Sequence, residues 1–163
     1  MLTQNQIDLL EHPVVVDTFI NDYIKLKEQL QPVIWHELDL HNGLWRVFGL
    51  IAPYNKRIYP NCDIAHKTLD LIHQIATPVT LGFSILEPGA IIYPHQGYSG
   101  EVFRVHVGLQ IPTNNAIDCG IQIENTYYGW EVGKVLQFDD TKVHSAWNHT
   151  SKNRIVLLMD FEK

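Results

Sequence analysis

From about residue 78 to the C-terminus the chain alternates. In "FRVHVGL" (103–109), Phe103, Val105 and Val107 fall on one side of an extended strand, and Arg104 and His106 on the other. Short β-type runs follow one another: "VTLGFSIL", "AIIYP", "EVFRVHVGLQI", "GIQIEN", "TYYGW", "KVLQFD", "HSAWNH" and "RIVLLMDF". Turn-forming stretches such as "EPG", "PTNN" and "NHTSKN" separate them. Short strands at this density predict a sandwich, jelly roll or barrel.

The first half has a different period. In residues 14–30, Phe19, Ile20, Tyr23, Ile24, Leu26 and Leu30 follow a helical repeat, and Pro32 lies just past its end. "LWRVFGLI" (44–51) reads as a strand after the turn "HNG". Residues 62–75 predict a helix with Ile64, Leu69, Ile72 and Ile75 on its apolar side and Asn61 or Asp63 as N-cap. The expected class is mainly β (α+β), with two or three N-terminal helices packed on the C-terminal β-fold. No repeat, low-complexity tract or linker divides residues 1–163, so one domain is expected.

Composition narrows the function classes. At 163 residues, 45% apolar and 18% charged, the chain suits an ordinary globular domain. A net charge of -6 without a basic run argues against nucleic acid or an anionic membrane as partner. Cys62 and Cys119 can form at most one bridge; free thiols in a reducing compartment are expected. The start, "MLTQNQIDLLEHP", lacks the features of a signal peptide, and no run approaches the ~20 apolar residues of a membrane span. These features lead to the expectation of a soluble cytoplasmic protein.

The strands carry polar residues where a core is expected: Ser84, His95, Arg104, His106, His144 and Arg154. In one small barrel their inward sides share a cavity. Burying such groups unpartnered is costly, and a bound metal and a bound anion would supply partners. Two imidazoles with open positions suit a catalytic Fe(II) site. The carboxylate usually found two residues after the first histidine is replaced here by Gly97, so the residues alone leave iron, zinc and no metal open. Glu101 is a candidate third ligand. Asp139 and Asp140 read as turn formers, and Trp45, Trp130 and Trp147 as packing residues. His12, His36, His41, His66, His73 and His149 read as surface or hydrogen-bonded structural histidines.

Residues 43–161 nevertheless resemble the aspartyl/asparaginyl β-hydroxylase family of Fe(II)/2-oxoglutarate oxygenases. "GLWRVF", "FSILEPGAIIYPHQG", "RVHVGLQIP", "WEVGKVLQFDDTKVHSAWN" and "RIVLLMDF" carry the likeness. It implies a double-stranded β-helix, a cupin-like jelly roll, over 43–163, with 1–42 as a helical part. It implies His95 and His144 as the iron ligands, with glycine in place of the carboxylate as in the family. Arg154 and Ser84 are implied for the distal carboxylate of 2-oxoglutarate, Arg104 and His106 for its remaining contacts, and Trp45 as a lining residue. Asp139 and Asp140 are then candidates to orient His144 or a water at the metal.

The implied activity is O2-dependent hydroxylation of an amino acid or a peptide or protein residue, with 2-oxoglutarate decarboxylated to succinate. Arg46, Lys56, Arg57 and Lys142 are candidates to meet a substrate carboxylate. Unlike secretory-pathway members, the chain shows no large N-terminal region or anchor and keeps only Cys62 of their cysteine pair. A stand-alone microbial enzyme is therefore expected, and a lipid A substrate is disfavoured. Two alternatives remain: a cupin-like zinc or manganese isomerase or hydrolase with His95, His106 and His144 all ligating, and a catalytically silent 2-oxoglutarate-binding module.

Overall fold

The computed structural model describes residues 1–97 and 100–163. Two helices open the chain. α1 (Gln4–Leu10) starts at a capping box between Thr3 and Gln6. α2 (Pro13–Gln29) is the helix expected at 14–30; the His12 imidazole accepts from the Val14 N–H, and Pro13 occupies the first turn.

The helix expected at 62–75 is broken at Ala65 into α3 (Asn61–Ile64) and α4 (His66–Ile75). Neither Asn61 nor Asp63 caps it. Pro60 stands at the N-cap without a side-chain bond, and Asn61 Nδ2 donates to the Gly49 carbonyl instead. The first turn of α4 is served from another helix: the buried Asp22 of α2 accepts the Thr68 N–H at 2.8 Å.

All eight strands expected after residue 78 form: β4 (Thr80–Leu86), β5 (Ile91–His95), β6 (Val102–Gln110), β7 (Cys119–Ile123), β8 (Thr126–Tyr128), β9 (Val135–Asp139), β10 (His144–Asn148) and β11 (Arg154–Glu162). β2 (Trp45–Ala52) forms as expected. The two-residue strands β1 (Val33–Ile34) and β3 (Lys56–Arg57), too short for a periodic signal, pair with it. The larger sheet has seven strands, β1-β2-β4-β11-β6-β9, with β3 also on β2; the smaller has the order β5-β10-β7-β8. Every pairing is antiparallel. The two sheets face each other as a jelly roll.

Strand parity divides the interior. Phe103, Val105 and Val107 of β6, with Leu157 and Met159 of β11, pack with Phe19 and Leu26 of α2. The opposite sides of these strands face the smaller sheet, in a second core containing Trp45, Ile121, Val156 and Leu158. β6 is therefore buried on both faces from Val102 to Leu109. Arg104 and His106 lie inside the jelly roll, where the alternation put them. No helix among the described residues is long and apolar enough to cross a membrane.

Candidate active site

His95 ends β5 and His144 begins β10, and the two are direct register partners. Their ring centroids are 4.4 Å apart. Each Nδ1 lies 2.7 Å from the carbonyl oxygen two residues earlier, Tyr93 for His95 and Lys142 for His144. A carbonyl only accepts, so each Nδ1 carries the proton and each Nε2 offers a lone pair. Backbone carbonyls commonly orient metal-binding imidazoles in this way. His144 Nε2 is buried with no hydrogen-bond partner, and burial lowers the His144 pKa to about 4, so the ring is neutral at neutral pH.

Deeper in the cavity the polarity reverses. Arg154 is fully buried, and one terminal nitrogen donates to Ser84 Oγ at 2.9 Å and to the Ser84 carbonyl at 3.2 Å. Trp45 Nε1 donates to the same Oγ at 2.9 Å. With two donors aimed at it, the Ser84 hydroxyl keeps its own hydrogen to give. Arg154 Cζ stands 4.6 Å over the Trp130 ring, and Trp130 Nε1 donates to His106 Nδ1 at 3.1 Å. An indole only donates, so the His106 proton sits on Nε2, which is buried and unpartnered. Burial, then Arg154 and Arg104, hold His106 well below the usual histidine pKa; burial lowers Arg154 to about 9. Among the described residues no carboxylate pairs with Arg154. The Arg154 guanidinium, Ser84 O–H and His106 Nε2–H thus form a set of donors suited to an anion.

A third group borders the metal side. Arg104 forks onto Asp160, Nε to Oδ1 at 2.8 Å and Nη2 to Oδ2 at 2.9 Å. Asp140 is fully buried with neither carboxylate oxygen hydrogen-bonded; Oδ1 lies 3.6 Å from His144 Nε2 and 3.8 Å from Arg104 Nε. Burial raises its pKa. The Asp140 carboxylate thus has Arg104 as its cationic neighbour and lies beside the His144 lone pair. Gly97 explains how the carboxylate fits: a Cβ built there would overlap Asp140 Oδ2. The space of the side chain missing at 97 is filled by a carboxylate from the turn before β10.

All seven residues singled out from the sequence line one cavity: Trp45, Ser84, His95, Arg104, His106, His144 and Arg154. It is narrow, about 20 Å3, room for roughly one water. A dicarboxylate is larger than this, so lining side chains must shift to admit it. Its donor set fits 2-oxoglutarate, and the Nε2 sides of His95 and His144 fit a divalent cation. The alternative with three histidine ligands fits less well, because His106 presents an N–H inward.

Several expectations need correction. Glu101 shares the outward parity of Phe103 and lines a groove with Phe161 and Lys163, away from the histidines. Asp139 and Asp140 part company. Asp139 is a turn former: its carboxylate accepts from Thr141 N–H and Oγ and from Lys163, which hold its pKa far below normal, whereas Asp140 turns inward. Of the four cations assigned to a substrate carboxylate, Arg46 pairs with Glu87 and Lys142 with Glu124, and none lines the cavity.

Asp160 and the roles of Trp35 and Trp130 were missed. Asp160 had a signal, a carboxylate in the apolar strand "RIVLLMDF" on the same side as Arg154. Trp130 lies outside any strand, so periodicity could not place it. Trp35 stacks on Trp45 at 4.1 Å. It is carried by a strap that His41 clamps through the Trp35 carbonyl and the Gly43 N–H, both at 3.0 Å.

Residues 17–163 match the profile of the Aspartyl/Asparaginyl beta-hydroxylase family. An ornithine lipid ester-linked acyl 2-hydroxylase of Rhizobium tropici is 37% identical over 119 residues, 73% of this chain and 42% of that protein. The human aspartyl/asparaginyl beta-hydroxylase is 36% identical over 125 residues, 72% of this chain and 16% of that protein. The chain thus spans less than half the length of either relative. The crystal structure of SnoN, a non-heme alpha-ketoglutarate-dependent epimerase from nogalamycin biosynthesis, superposes with a TM-score of 0.66 at 11% identity, over 93% of this chain and 72% of that one, which shows a shared fold. The chain belongs to the aspartyl/asparaginyl β-hydroxylase family.

Proposed function

We propose that the protein is an Fe(II)- and 2-oxoglutarate-dependent dioxygenase that hydroxylates a substrate C–H bond. The observation that carries this reading is Arg154, a buried guanidinium without a carboxylate partner among the described residues, facing the same cavity as His95 and His144, whose Nδ1 atoms are both held on backbone carbonyls. His95 and His144 would hold the iron. Arg154, the Ser84 hydroxyl and His106 Nε2–H would grip the distal carboxylate of 2-oxoglutarate, with Trp45 fixing Ser84 and Trp130 fixing the His106 tautomer. Arg104, already forked onto Asp160, borders the reacting centre rather than the distal carboxylate. Asp140 sets the charge beside His144 and accepts from water there. Fe(II) with 2-oxoglutarate and O2 supplies the oxidising chemistry, leaving succinate, CO2 and a hydroxylated product.

The relatives' names give two substrate classes, aspartyl or asparaginyl residues and a lipid-linked acyl chain. An amino acid or peptidyl residue is the first reading; the apolar surface beside the cavity favours the second.

The test is anaerobic titration with Fe(II) and 2-oxoglutarate, followed by visible absorption. Chelation of the keto acid to iron gives a weak charge-transfer band near ~500 nm. The band is expected in the parent protein and absent in His144→Ala. Metal binding without the band would overturn the oxygenase reading.

A further inference from the structure

Two carboxylates stand near one guanidinium, and only one of them holds it. Asp160 takes the fork of Arg104, with Nε on Oδ1 at 2.8 Å and Nη2 on Oδ2 at 2.9 Å. Asp140 Oδ1 lies 3.8 Å from the same Nε, beyond hydrogen-bonding reach. Neither side-chain oxygen of Asp140 has a hydrogen-bond partner among the described residues. Arg104, Asp140 and Asp160 are all buried, so solvent does little to screen them. A charge-assisted bond is about twice as strong as a neutral one. A buried guanidinium and an unpaired carboxylate at this separation should therefore close on each other unless one is held back.

The restraint is built across three strands. Thr80 of β4, Asp160 of β11 and Arg104 of β6 are successive register partners, so their side chains share one face of the sheet. Thr80 Oγ1 donates to Asp160 Oδ2 at 2.6 Å. Asp160 thus accepts from two atoms of Arg104 and from Thr80, and its backbone carbonyl accepts from the Val79 N–H at 2.7 Å. The carboxylate that holds Arg104 is itself fixed on the side away from Asp140. Asp140 belongs to no strand; it sits in the turn between β9 and β10.

The separation matters at His144. Asp140 Oδ1 is 3.6 Å from His144 Nε2, the atom assigned to the metal. An Asp140 closed on Arg104 would bring an ion pair there, with its charge spent and its oxygens turned away. An Asp140 left unpaired keeps both its charge and its lone pairs beside the ligand. Groups just outside a metal's ligands tune its affinity in this way.

We propose that Asp160 is a positioning residue that acts through Arg104: by holding the guanidinium in its fork it keeps Arg104 from closing on Asp140, and so leaves the Asp140 carboxylate to act beside His144. The effect on the metal rests on the oxygenase reading; the restraint on Arg104 does not.

The first experiment needs no metal. In urea denaturation of the metal-free protein, Asp140→Asn should leave the parent midpoint unchanged or raise it, because it removes a buried charge that no hydrogen bond compensates. In an Asp160→Asn background Arg104 turns to Asp140, and the same change should lower the midpoint by leaving a buried guanidinium unpaired. An equal effect of Asp140→Asn in both backgrounds would overturn the proposal. If Asp160→Asn does not fold, the parent decides: a lowered midpoint there would show Arg104 already bound to Asp140 and would overturn it.

The second experiment is titration of the full chain with Co(II), followed by visible absorption. Asp160→Asn should weaken Co(II) binding by about 10- to 100-fold. Arg104→Met combined with Asp160→Asn removes the guanidinium along with its partner, leaves Asp140 unpaired again and should restore most of the lost affinity. A double variant that binds as weakly as the single one would show that Asp160 acts through the fold and not through Arg104, and would overturn the proposal. A parent protein that binds no Co(II) would sink the oxygenase reading alone, with the urea comparison still deciding the role of Asp160.

Discussion

Gly97 and Asp140 occupy one space: the carboxylate of Asp140 lies where a side chain on Gly97 would be, and the Gly97 N–H donates to the Asp140 carbonyl at 2.7 Å. The carboxylate beside the histidine pair thus comes from the turn between β9 and β10, not from the position two residues after His95. Gly97→Ala should destabilise the fold by about 1–3 kcal/mol through overpacking. Adding Asp140→Ala should recover much of that loss, a coupling of about 0.5–3 kcal/mol in a double-mutant cycle followed by urea denaturation. Additive effects would show that the two residues do not compete for this space.

Arg154 should make stability depend on cosubstrate. In Arg154→Met a buried cation gives way to an apolar chain of similar length, so the variant without ligand should be at least as stable as the parent. With 2-oxoglutarate at a hundred times its Kd, the parent should gain about 2.7 kcal/mol and the variant nothing. Thermal unfolding with and without 2-oxoglutarate measures both effects.

His106 should give the protein an acid-labile component. Its folded pKa is depressed by burial, so between the unfolded value and the folded one the unfolded chain binds the extra proton. Stability from this group is complete above about pH 6.5 and falls as pH drops below it, by at most about 1.4 kcal/mol per pH unit. His144, lowered to about 4, adds in the same sense. Urea midpoints at neutral and mildly acid pH should converge more closely in His106→Gln than in the parent.

Asp22 tests a part of the fold remote from the site. Its removal leaves the Thr68 N–H of α4 without its acceptor. Asp22→Ala should cost about 1–3 kcal/mol in urea denaturation. The charge-transfer band should be unaffected.

Arg104 and His106 could be read from the alternation of their strand, opposite an apolar row, whereas the roles of Ser84, His95, His144 and Arg154 followed from the family resemblance of their motifs. The second carboxylate was harder. In "FDDT" the two aspartates look alike, and only the turn geometry sends one outward to Thr141 and Lys163 and the other to His144. Trp35 and Trp130 act through hydrogen bonds and stacking made from outside regular strands, where no period marks them. The break at Ala65 was likewise silent, since both halves keep apolar positions facing the same core.

β6 and β11 are buried on both sides, with apolar side chains toward the helices and Arg104, His106, Arg154 and Asp160 on the opposite side. A slip of one residue in their pairing would turn this polar row into the helix-facing core and the apolar row into the anion site. The residues assigned to chemistry are therefore also a registration mark for folding. Wholesale replacement of that row by aliphatic side chains should leave the central strands able to pair in more than one alignment.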